Sequence, residues 1–128
     1  MVAAEFNDLL NAPTIMVTLD LFSGLPNPSW ELGPAQRNEL RNRLSHLTSL
    51  ERERVRVPGL GYRGLVLSQS RGSGASDDIR IFGGAITPER AGTRSYKDSG
   101  SRLEAWLLST GRTAIDPDLY RELSRHGR

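Results

Sequence analysis

Apolar and polar residues alternate most cleanly near the start of the chain. Ile15, Val17, Leu19 and Leu21 are interleaved with Met16, Thr18, Asp20 and Phe22. A period of two over eight residues, with β-branched types enriched, predicts a strand whose Thr18 and Asp20 side is wet. The period then breaks. Ser23 to Trp30 carries Pro26 and Pro28, which fix two φ angles and push the residues before them toward extended backbone. No helix can form there, and the loop should be stiff.

From Gly33 and Pro34 the period lengthens to that of a helix. Leu40, Leu44 and Leu47 recur at i, i+4 and i+7, with Arg37, Glu39, Arg41 and Arg43 on the remaining arc. This predicts an amphipathic helix of about four turns with proline at its first position. Residues 51–56 are charged and lack a clear period. A second strand is expected over Gly61 to Ser68 around Leu65, Val66 and Leu67, and a third over Ile79 to Ile86, ended by Thr87 and Pro88. The polar, glycine-rich stretch 68–78 joins them as a hairpin loop. Gly83 and Gly84 inside the third strand imply a bulge or a close backbone approach. Residues 88–100 read as irregular. Ser101 and Glu104 have the spacing of a capping box for a helix that carries Leu103, Trp106 and Leu107 and stops at Gly111. Asp116 and Pro117 open a terminal helix bearing Leu119 and Leu123 and ending near His126.

Residues 1–13 hold Phe6, Leu9 and Leu10 at helical spacing before Pro13, so they read as an N-terminal leader or short helix ahead of a single α+β domain over 14–128. The order strand, helix, strand, strand, helix, helix predicts a small two-layer sandwich of about three strands, with two to three helices packed on one face. A chain of 128 residues suits one core. With 6% aromatic residues, that core must be built from Leu, Ile and Val.

Composition removes whole classes of chemistry. There are no cysteines, hence no disulfides, thiolate metal sites or cysteine nucleophiles. No apolar run approaches the roughly 20 residues of a membrane span, and Glu5 and Asp8 without a basic leader argue against a secretory signal. A cytoplasmic protein is the expectation. The net charge of +2 is too even to imply nucleic-acid binding. Lys97 is the only lysine, a bias that GC-rich codons explain more simply than function does.

Several motifs lose to their structural readings. Gly59-Leu-Gly61-Tyr-Arg-Gly64 matches G-x-G-x-x-G, but it runs into a strand where a dinucleotide site needs a helix. Arg71-Gly-Ser-Gly74 lacks the ending of a phosphate loop. His46 and His126 are isolated, so no metal and no cofactor are expected. No serine elbow appears, and Asp77-Asp78 reads as a solvated turn.

Two places remain as binding candidates. In the proline loop, Asn27 offers a donor and an acceptor, and Trp30 a large amphipathic ring. Against this, Trp30 could simply fold back on the core. Around the third strand (Phe82, Gly83, Gly84), an exposed edge could accept an extended peptide. Tyr62 and Arg63 neighbour it, and Arg63 and Arg80, each in a strand, could hold a carboxylate if they project to one open face. The expectation is a small binding or accessory module for a protein or peptide partner. The alternatives are a small enzyme with Asp20, Asn27, Tyr62 and Arg63 in one pocket, and nucleic-acid binding through Arg37, Arg41, Arg43, Arg52, Arg54 and Arg56. The last is disfavoured by the interleaved Glu39, Glu51 and Glu53.

Overall fold

The computed structural model describes residues 6–21, 26–50, 61–69, 78–89 and 95–126. Among these it has four helices and a six-stranded antiparallel sheet, a mixed α+β fold. The strands are β1 (Met16–Leu21), β2 (Ser29–Glu31), β3 (Tyr62–Ser68), β4 (Ile79–Phe82), β5 (Ala85–Pro88) and β6 (Tyr96–Lys97), in the order β2-β1-β3-β4-β5-β6. The helices are α1 (Asn7–Leu10), α2 (Pro34–Arg43), α3 (Arg102–Thr110) and α4 (Pro117–His126).

The expected three strands become six for local reasons. Gly83 and Gly84, at φ 62° and 89°, are the central pair of a two-residue turn in which Phe82 faces Ala85. Positive φ at both centres makes a hairpin turn, which glycine adopts without penalty. The third strand is therefore two strands, β4 and β5, and the glycines are not a bulge. The end of the proline loop adds β2, and the segment read as irregular adds β6.

Register explains the core. Trp30, Val17, Leu67, Ile79 and Pro88 form one cross-strand row, and Leu19, Leu65, Ile81, Ile86 and Tyr96 form the next. Alternation puts both rows on one face. All of them except Pro88 belong to a single hydrophobic cluster with Phe6, Leu9 and Leu10 around α1, Leu40 and Leu44 around α2, Leu103, Leu107 and Leu108 of α3, and Leu123 of α4. Each fully buried leucine contributes about 1.5–3 kcal/mol of transfer free energy. Phe6, Leu9 and Leu10 thus form part of the core.

Helix α2 is ten residues long, shorter than the expected four turns, and Leu47 lies beyond its end, half-buried. Arg37 and Arg41, one turn apart, tie it to the end of α1. Arg37 donates to the carbonyls of Pro13 (2.9 Å) and Ala12, and Arg41 to that of Leu10 (3.2 Å).

The cap of α3 also differs from the expected one. Ser101 sits in the left-handed region at φ 54° and makes no side-chain cap. The buried Asp98 caps the helix instead, accepting from the amides of Leu103 (2.8 Å) and Glu104 (3.0 Å). A carboxylate suits this end of the helix dipole. For α4 the expected cap is present, with Asp116 accepting from the amides of Asp118 and Leu119.

Candidate functional site

A β-bulge organises one end of the sheet. Leu19 pairs with Leu65 and Leu21 with Tyr62, so Arg63 and Gly64 together face the single residue Asp20. The extra residue reverses the alternation of β3. Without it, Tyr62 would share the face of Val66, and Arg63 that of Leu65. Gly64 makes the bulge possible, with φ at 101° and a Cβ position only 2.6 Å from Ile81 O and Phe82 Cβ.

The reversal exchanges the faces that Tyr62 and Arg63 take. Arg63 turns away from the core, where its Nη2 donates to Asp20 Oδ1 at 3.0 Å. From β4, Arg80 Nη1 donates to Asp20 Oδ2 at 2.8 Å and to Arg63 O at 2.8 Å, and its Nε lies 3.2 Å from Glu89 Oε1. The two arginines do share a face and do hold a carboxylate, but that carboxylate is the chain's own. Asp20's side chain is 12% exposed and the arginines' 47% and 34%, so solvent screening limits each pair to about 1 kcal/mol. The four charges sum to zero.

Tyr62 turns toward the helices. Its hydroxyl donates to Glu104 Oε2 at 2.5 Å, its ring meets Phe82 edge-on at 5.6 Å, and Glu104 Oε1 accepts from the Gly83 amide at 3.0 Å. Burial, then the Glu104 charge and its hydrogen bond, raise the Tyr62 phenol far above the usual tyrosine range. Tyr62 and Arg63 therefore lie on opposite faces of the sheet.

The proline loop is fastened by side chain and backbone together. Asn27 Oδ1 accepts from the Leu21 amide at 2.9 Å, and Pro28 O accepts from the Leu19 amide at 2.9 Å. Asn27 thus extends the ladder past the end of the strand. Trp30 is buried, and its Nε1 donates to Thr110 Oγ1 at 2.8 Å. Its ring lies against Gly111, where a Cβ would fall 2.3 Å from Trp30 Cε2. The indole holds the loop to the end of α3, and little of it reaches the surface.

The edges of the sheet are not where the sequence suggested. Phe82 to Gly84 lie between β3 and β6, inside the sheet. The β6 side is covered by residues 48–50, through Lys97 N to Thr48 O (2.8 Å) and Leu50 N to Ser95 O (3.0 Å). Among the described residues nothing covers the β2 side. Leu19 N bonds Pro28 O, and Leu32 N bonds Ile15 O at 3.0 Å. Antiparallel alternation then directs the N–H and C=O of Ser29 and Glu31 away from β1. Among the described residues nothing bonds to them. Sequence reasoning missed Ser29 and Glu31 because both lay in or beside a stretch read as loop. It read Glu104 only as half of a cap.

Among the described residues no group of histidines and carboxylates could hold a metal ion, and no helix is long and apolar enough to cross a membrane. Arg52, Arg54, Arg56, Gly59, Arg71, Gly74 and Asp77 lie outside the described residues. Comparison with models of protein families, with curated proteins and with solved structures finds no match, and the functional reading rests on this geometry alone.

Proposed function

We propose that this chain is a small binding or accessory module for a protein or peptide partner, and that the partner adds an extended strand to β2. The observation that carries this reading is the edge at Ser29 and Glu31, which no described residue covers and where four backbone hydrogen-bonding groups point outward. Strand addition uses such groups for affinity and leaves selectivity to alternate side chains. The edge is preformed: Asn27 and Pro28 hold one end to β1, Leu32 holds the other, and Trp30 is locked beneath Gly111. A rigid edge loses little conformational entropy on binding. Pro26, Pro28 and Pro34 confine it to a short window, which limits indiscriminate pairing.

The nucleic-acid alternative is weakened by what its arginines do. Arg37 is engaged with the carbonyls of Ala12 and Pro13 and Arg41 with that of Leu10, and Arg43 lies 2.9 Å from Glu39 and over the Trp106 ring.

Ser29→Pro tests the proposal. It removes one outward N–H while leaving the bonds to β1 intact, and proline is tolerated on the solvent side of an edge strand. In affinity capture from the native lysate, a partner retained by wild type should be lost by the variant at unchanged melting temperature. Equal capture by both proteins, or no specific capture by wild type, refutes it.

A further inference from the structure

We infer that the β2 edge selects an antiparallel segment of the form basic–apolar–small polar, with lysine or arginine opposite Glu31. This rests on the strand-addition reading above and specifies its substrate class.

Each position follows from the register. Added antiparallel, a partner meets Glu31 first, Trp30 second and Ser29 third. Its central residue falls on the core side beside Trp30, lengthening the row Trp30, Val17, Leu67, Ile79 and Pro88. Every member of that row is apolar and buried, so an apolar residue continues it. The third position extends the row Ser29, Thr18, Val66, Arg80 and Thr87 on the opposite face. A small hydroxyl side chain suits that mixed surface.

Charge decides the first position. Glu31 is exposed and has no ion-pair partner among the described residues. By contrast, Asp20, Arg63, Arg80 and Glu89 on the same face already neutralise one another. Directly opposed side chains on neighbouring strands lie about 5 Å apart at Cβ, within reach of a salt bridge. Among the described residues, the edge therefore presents one negative charge without a countercharge at a defined register.

A second copy of this chain fits less well. Pairing of β2 with itself sets Ser29 opposite Glu31 of the other copy, so both carboxylates lack a cation. A three-residue contact is also far smaller than the roughly 1,200 Å² of a stable interface.

The probes are two capped pentapeptides with valine and threonine flanks, one centred on lysine–valine–threonine and the other with glutamate replacing the lysine. Titration into the isotope-labelled protein should move the Ser29 and Glu31 amide resonances. The lysine peptide should bind about two- to five-fold more tightly, the scale of one cross-strand ion pair. Glu31→Lys, at an exposed position, should reverse the preference, and Ser29→Pro should weaken both peptides. If both bind equally to wild type and to Glu31→Lys, charge selection fails while strand addition stands. If neither moves those amides, or if the protein instead dimerises through β2 in sedimentation, strand addition itself fails.

Discussion

Gly111→Ala is the sharpest probe of how the proline loop is held. Gly111 ends α3 with φ −102° and ψ 15°, a conformation alanine can adopt. Judged on the backbone alone, the substitution should stabilise by about 0.4–1 kcal/mol, because alanine has less freedom to lose on folding. The packing says the opposite. The new methyl would sit 2.3 Å from Trp30 Cε2 and Cζ2 and 2.5 Å from Cδ2, where carbon atoms prefer about 3.5–4.0 Å. Either the indole or the end of α3 must retreat by more than an ångström. The indole cannot slide freely, because its Nε1 is bonded to Thr110, one residue away. Overpacking of this kind costs about 1–3 kcal/mol, and the rigidity of both partners places it at the upper end. Urea denaturation should show the midpoint falling with little change in slope. Emission of Trp30, isolated in a Trp106→Phe background, should shift to the red. Trp30→Phe replaces the fused indole with a smaller ring, so the two substitutions should be less damaging together than their sum, with coupling of about 1–2 kcal/mol. A Gly111→Ala protein as stable as wild type or more so would show that Trp30 does not lie beneath α3.

Two further predictions concern the other end of α3. The Tyr62 phenol is raised in the folded state, so its contribution to stability is complete below about pH 10 and declines above it, at about 1.4 kcal/mol per pH unit. Tyr62→Phe should be less stable at neutral pH, because Glu104 loses a donor, and the gap should narrow as the pH rises through 10 to 11.5. Parallel stability curves for the two proteins would contradict the Tyr62–Glu104 pairing. Asp98→Ala should cost about 0.5–2 kcal/mol by uncapping Leu103 and Glu104, whereas Ser101→Gly should be neutral or gain up to about 1 kcal/mol by relieving a left-handed residue. Thermal melts that reverse this order would restore Ser101 as the cap.

The peptide tests at Ser29 and Glu31 complement these. Gly111→Ala reports whether the edge is held in place, while the titrations report whether it is used. A loosened indole should weaken peptide binding, since the ordering of β2 would then have to occur on association.

Much of the fold was legible locally. The alternation over Ile15 to Leu21 marks β1, the Leu40 and Leu44 stripe marks α2, Gly111 marks the end of α3, and Asp116-Pro117 marks the start of α4. Periodicity and turn chemistry act between near neighbours, so one chain suffices to read them. The chain also contains the Arg63–Arg80 pair and the Trp30 ring, though not their surroundings. Three things were decided only in three dimensions. The bulge at Arg63-Gly64 decides which face each side chain takes, Tyr62 toward the core and Arg63 away from it, and it depends on the count of residues facing Asp20 on another strand. Strand identity at Ser29–Glu31 and Tyr96–Lys97 comes from pairing with β1 and β5, since segments of three and two residues carry no period of their own. Which edge stays open follows from residues 48–50 returning to cover β6 while nothing described covers β2. Local pattern chooses the type of an element, but exposure of its hydrogen-bonding groups depends on what the rest of the chain lays beside it.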